Sequence, residues 1–152
     1  MNCKPGTIIK STAALNNSVF ENVKILITEN NAGGAAGFVI NKQFEKPLNA
    51  LQEFSHVRHF NLYNGGPVDK EHLFFIHRRP DIIEGGVKIN DTIFYGGNFA
   101  QAVAAINNYT LTENDIKIFI GYCGWDAGEL EAEMEEGSWE VSNYTAERVF
   151  TK

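Results

Sequence analysis

Between Tyr122 and Glu136 the chain gathers most of the groups that could do chemistry. Cys123 is a candidate nucleophile. A thiol needs a base or a local positive field to ionise, and His77 is the candidate base, with Asp126 or Glu129 as the group that orients it. Glu129 and Glu133 stand four residues apart, as do Glu131 and Glu135, so on a helix each pair shares a face. Paired carboxylates carry out acid–base work when their surroundings separate their pKa values. A plainer reading stands beside each. The thiol packs as a small buried hydrophobe, and a run of glutamates is a solvated helix face, the reading preferred for Glu135 and Glu136.

His72 and His77, with Glu71 nearby, invite a metal reading. The five-residue gap puts the two rings on opposite faces of a strand, so no shared ion is expected and no metal ligand is assigned. The Gly-Gly doublets at 33–34, 65–66, 85–86 and 96–97 fit neither phosphate-binding frame and are read as turns at strand ends. A helix start after Trp125 would offer free backbone N–H groups to an anion. Asp126, Glu129 and Glu131 crowd that end, so a cationic or neutral ligand is more compatible. No cofactor is called for.

These groups depend on a strand and a helix for their placement. Ile116, Ile118 and Ile120 alternate with Lys117, Phe119 and Gly121, the period of a strand buried on both faces. Gly121 and Gly124 predict a tight turn after it. Asp126 is the expected cap of the following helix, with Glu129 completing a capping box. Leu130 and Met134 share that helix's apolar face, and Gly137 stands where it should stop.

The rest of the chain reads as short strands with few helices. Strands are expected over Gly6–Lys10, Val23–Thr28, Ala35–Asn41, Phe60–Tyr63, Leu73–His77 and Ile93–Tyr95. Glu29 to Gly34 would make a long hairpin loop, and Leu15 to Asn22 a turn or short helix over a buried Phe20. Pro47 to Phe54 reads as a short helix and residues 78–92 as surface. Asn98 caps a helix through Ile106 with Phe99, Val103 and Ile106 as its stripe. Trp139 and Val141 suit a last strand, and Val149-Phe150 an apolar anchor. Irregular alternation without parallel crossovers favours an α+β fold over a doubly wound one.

Gly121-Tyr122-Cys123-Gly124-Trp125, then Gly128-Glu129-Leu130-Glu131-Ala132-Glu133 and a later Trp139, resembles the signature of the AlgH/YqgE family of small bacterial proteins. Gly37-Phe38-Val39-Ile40-Asn41 and Gly65-Gly66-Pro67-Val68 fit the same family, and the resemblance runs from Gly6 to Phe150. The family carries Ala where Cys123 stands, Gln where Glu129 stands and an Arg-Pro pair where Lys42-Gln43 stands. A chemistry common to the family therefore cannot rest on the thiol, and the guanidinium fork that suits bidentate anion binding is missing here. The resemblance implies mostly antiparallel short strands forming a small, partly closed β-barrel flanked by helices. It brings no established activity. Its matched residues define a candidate binding site of Asn41, His77, Tyr122, Trp125, Glu131 and Glu133.

The 152 residues suit one domain, and 43% hydrophobic content suits a real core. No apolar run reaches the length of a membrane span, and the N-terminus lacks a secretory apolar stretch. Two distant cysteines fit a reducing compartment, so a cytoplasmic location is expected. Residues 1–80 carry nine Lys and Arg against six Asp and Glu, or +3, whereas residues 81–152 carry four against thirteen, or −9. That acidity opposes direct DNA binding, for which Arg58, Arg78 and Arg79 are the candidate contacts. The expectation is a non-enzymatic regulator, of transcription if the family role carries over, acting by binding a protein partner. The alternative is a small-molecule-binding protein or hydrolase with its site at the Tyr122–Glu133 junction. The sequence assigns no oligomeric state.

Overall fold

The computed structural model describes residues 3–143 and 146–150. Among them the strands are β1 (Ile8–Ser11), β2 (Lys24–Asn31), β3 (Gly34–Val39), β4 (Leu62–Asn64), β5 (Val68–His77), β6 (Val87–Lys88), β7 (Phe94–Tyr95), β8 (Ile116–Asp126) and β9 (Trp139–Val141). Helix α1 (Phe99–Asn107) precedes β8 and helix α2 (Glu129–Glu135) follows it.

β8 organises the sheet because it has three strand partners. Its first half pairs antiparallel with β5 and parallel with β4, and its second half pairs antiparallel with β3. The whole order is β6-β7-β5-β8-β3-β2-β1-β9, with β4 on β8 off this path. Every other strand-to-strand pairing is antiparallel.

The change of partner falls at Gly121. The predicted tight turn is not there; the strand runs on to Asp126. Gly121 instead takes φ +74°, and a Cβ on it would lie 2.3 Å from the Gly66 carbonyl oxygen. Opposite it, β5 bulges between Val68 and Leu73. Four residues of β5, 69–72, thus lie opposite Gly121 alone, and the alternation of β8 breaks at this glycine. Ile116, Ile118 and Ile120 face one apolar cluster, Phe119 and Tyr122 share another although three apart, and Cys123 and Trp125 reach a third.

The first cluster lies under α1, where Ala102, Ala105 and Ile106 meet Leu48, Leu62 and Ile83. The second joins Ile25, Ile27, Trp125, Leu130 and Trp139, and the third Leu26, Phe38, Ile76, Phe119, Val149 and Phe150. β2 therefore buries side chains on both of its faces. Asn98 caps α1 through Gln101 N–H, as the sequence predicts, and Gly137 ends α2 at φ +86°.

Several expectations need correction. The sheet is not closed into a barrel: β6 and β9, at the two ends of the path, do not pair among the described residues. It is nevertheless curled. Phe38 on β3 and Tyr95 on β7 stack with centroids 5.9 Å apart, while three strand spacings of a flat sheet would separate them by about 14 Å. The β2–β3 hairpin is tight, with only Ala32 and Gly33 between the strands, because Glu29, Asn30 and Asn31 stay in register with Ala36, Ala35 and Gly34. Residues 47–54 form two 3₁₀ turns rather than one helix. The cap of α2 is Gly128 at φ +77°, not Asp126. Only the return half of the capping box forms: the Asp126 N–H donates to Glu129 Oε1 at 3.0 Å.

Candidate functional site

The six residues of the sequence-derived site do not converge. Asn41 is exposed and is used as a brace. Its Oδ1 accepts from the Lys24 N–H at 2.9 Å and its Nδ2 donates to the Asn22 carbonyl at 3.0 Å, tying the end of β3 to the start of β2.

His77 is fully buried where β5 meets β7. The Arg79 N–H donates to its Nδ1 at 3.1 Å, so Nε2 carries the proton and faces the Gly96 carbonyl at 3.1 Å. Burial pushes its pKa below the usual histidine range, partly opposed by the Gly96 contact. A neutral ring with both nitrogens satisfied is structural.

The Cys123–His77 pair is not made. His77 is in register with Ile116, and Cys123 with Gly37; from Ile116 to Cys123 is roughly 23 Å of extended chain. Cys123 is buried, its Sγ contacts the Gly65 carbonyl at 3.5 Å, and burial pushes its thiol up to about 12. It is the small hydrophobe of the plainer reading.

Trp125, Glu133 and Trp139 form a closed unit. Both indole N–H groups donate to Glu133 Oε1, at 3.0 Å from Trp125 and 2.9 Å from Trp139. Glu131 Oε2 accepts from Asn30 Nδ2 at 3.1 Å and docks α2 on β2. A depression of about 400 Å³ runs along α2 past Glu131, Met134 and Glu135, but neither tryptophan lines it.

His72 and His77 lie apart, as their spacing predicts. His72 is exposed, and its Nδ1 stands 2.7 Å from Asp69, whose hydrogen bond pushes the histidine pKa up. No group of three His, Cys, Asp or Glu side chains able to hold a metal ion occurs among the described residues.

Of the six, Glu131 borders the depression along α2, whereas Tyr122 borders an aromatic groove. This cavity of about 490 Å³ lies where the third apolar cluster reaches the surface. Its walls are Thr28 and Glu29 of β2, Ala36, Gly37 and Phe38 of β3, Asp69 and Phe74 of β5, Val87 and Ile89, Tyr95 of β7 and Tyr122. The curl of the sheet creates it by bringing β7 opposite β3. Phe74 meets Tyr122 edge to face at 5.5 Å and Phe38 at 5.9 Å, so four rings line it continuously with Tyr95. Burial, then the nearby Glu29 and Tyr122, push the Tyr95 hydroxyl pKa up. Sequence reading did not find Glu29, Phe38, Asp69, Phe74 or Tyr95, because the groove is assembled from strands far apart in the chain.

Comparison with known proteins fits this architecture. The profile of the AlgH-like family matches residues 7–152. The chain belongs to the AlgH-like family. Within it, a UPF0301 protein of Chlorobium limicola is 39% identical over 149 residues, covering 97% of this chain and 79% of that one. A UPF0301 protein of Cytophaga hutchinsonii is 35% identical over 148 residues, covering 97% and 81%. The solution structure of the AlgH protein from Pseudomonas aeruginosa superposes with a TM-score of 0.77 at 24% identity, over 97% of this chain and 80% of that one. At these distances the family and the fold are shared.

No helix among the described residues is long and apolar enough to cross a membrane. The arginines expected to contact DNA are engaged within the fold. Arg58 donates to the carbonyls of Ile106 and Leu111 and lies over the rings of Phe60 and Tyr109. Arg79 pairs with Asp81 and Asp115, and Arg78 lies over Phe150.

Proposed function

We propose that this protein is a non-enzymatic binding protein whose contact surface is the groove bounded by Tyr95 and Tyr122. One observation carries the reading. Of the six candidate residues, Asn41, His77, Trp125, Glu131 and Glu133 spend their polar atoms on internal hydrogen bonds, whereas Tyr122 presents a half-buried ring to a groove of about 490 Å³. That size and aromatic lining suit a ligand site. A catalytic reading gains less support. The buried thiol is held protonated, and the buried imidazole spends both ring nitrogens on the Gly96 carbonyl and the Arg79 N–H, with the Asp81 carboxylate acting on it through charge and not through a hydrogen bond.

A regulatory role, on transcription or another process, would then act through what the groove holds and not through direct contact with DNA. The −9 balance of residues 81–152 and the engaged arginines favour that form.

Amide chemical-shift mapping with small amphiphilic fragments of positive, neutral and negative charge tests the site. Saturable shifts should cluster on Thr28, Ala36, Gly37, Tyr95 and Tyr122. Clustering along α2, or on no surface, would overturn the reading.

A further inference from the structure

We propose that the groove takes a small organic cation of the alkylammonium type. This rests on the groove being the binding surface and adds the chemistry of the ligand. Its wall holds the faces and edges of Phe38, Phe74, Tyr95 and Tyr122, joined through centroid distances of 5.5 to 5.9 Å. Aromatic faces attract a cation through their quadrupole, the more so when the cation leaves water.

Among the described residues, the charged groups in that wall are Glu29 and Asp69, and no Lys or Arg lines it. Glu29 makes no ion pair among the described residues, while Asp69 is hydrogen-bonded to His72. Lys88 lies on neighbouring β6 between the lining residues Val87 and Ile89, so its side chain points to the opposite face, where it stands 3.7 Å from Asp91. An anion would meet Glu29 and ring edges with no opposing charge. A neutral apolar ligand would use the rings but leave Glu29 facing apolar atoms. An alkylammonium uses both: methyl or methylene groups against the rings and positive charge toward Glu29.

A cavity of about 490 Å³ suits a free small molecule. Tyr95 and Tyr122 also offer hydroxyls that make no hydrogen bond to another described residue, available to a polar tail on the ligand.

The test compares choline with its uncharged isostere 3,3-dimethylbutan-1-ol, titrated into the full chain with amide shifts as the readout. Choline should bind at the groove about tenfold tighter, the ratio that a cation–π and Coulomb advantage of this order produces. Glu29→Gln should weaken choline about threefold and leave the isostere unchanged, with an unaltered spectrum elsewhere showing that the fold is intact. Equal affinities at the groove would overturn the cation inference and leave the groove as the binding surface. Groove shifts from anionic or neutral fragments with none from choline would do the same. No groove shifts from any probe would overturn both.

Discussion

The indoles of Trp125 and Trp139 meet edge to face, 6.1 Å between centroids, and share one acceptor, Glu133 Oε1. The family signature thus holds a structural clamp: α2 carries the carboxylate, and β8 and β9 carry the rings. Glu133→Ala would leave two indole N–H groups without an acceptor and should cost about 1–3 kcal/mol. Glu133→Gln keeps an acceptor and should cost less. Urea unfolding of the two variants beside the wild type measures the difference; equal, negligible losses would show that the clamp is not structural.

The glycines of the signature separate by what surrounds them. Gly121 and Gly128 have similar positive φ, +74° and +77°. At Gly121 a Cβ would strike the Gly66 carbonyl, whereas at Gly128 nothing lies within 4 Å. Gly128→Ala should cost about 1 kcal/mol, the strain of the left-handed conformation alone. Gly121→Ala should cost about 3 kcal/mol or more, since strand partners must also move. Thermal unfolding of the pair decides; equal losses would remove the special place given to Gly121.

Lys117 is buried, donates to the Ile40 carbonyl at 2.9 Å and lies 4.1 Å from the Tyr63 ring centroid. Burial pushes its pKa down from 10.5 to about 8. Between those values the unfolded chain binds more protons than the folded one, so stability rises with pH across this window. From pH 7.5 to 9.5 the wild type should gain roughly 2 kcal/mol relative to Lys117→Met. Parallel pH profiles for the two proteins would contradict this.

Direct DNA binding should be absent. Fluorescence anisotropy with duplex DNA at low salt should show no saturable binding, and Arg58→Ala should lower stability by about 1–3 kcal/mol through its lost carbonyl contacts. Binding that falls steeply with salt and vanishes in the Arg58/Arg78/Arg79→Ala variant would contradict this.

Elements with a local signal were legible in the sequence. The alternation of Ile116, Ile118 and Ile120 marked β8, Asn98 marked the start of α1, Gly137 marked the end of α2, and Trp139 lay on β9. The misreadings share a cause. A glycine that permits positive φ serves a turn and a bulge equally well, so Gly121 read as a turn while the strand continued through it. Asp126 and Glu129 have capping-box spacing, but two further residues intervene before the helix begins. The exposed, polar start of β5, from Val68 to His72, carried no apolar alternation and was missed. The groove was least legible. Tyr122 belongs to the signature, but Tyr95 reaches it only through the curl of the sheet, a long-range relationship that no local pattern encodes.

The most direct measurement is of intermolecular nuclear Overhauser effects between the methyl protons of choline and the aromatic protons of the protein. The account predicts contacts to Tyr95 and Tyr122, lost on Tyr122→Ala and kept on Glu131→Ala. Contacts to Trp125 or Trp139 instead, or a pattern unchanged by Tyr122→Ala, would contradict it.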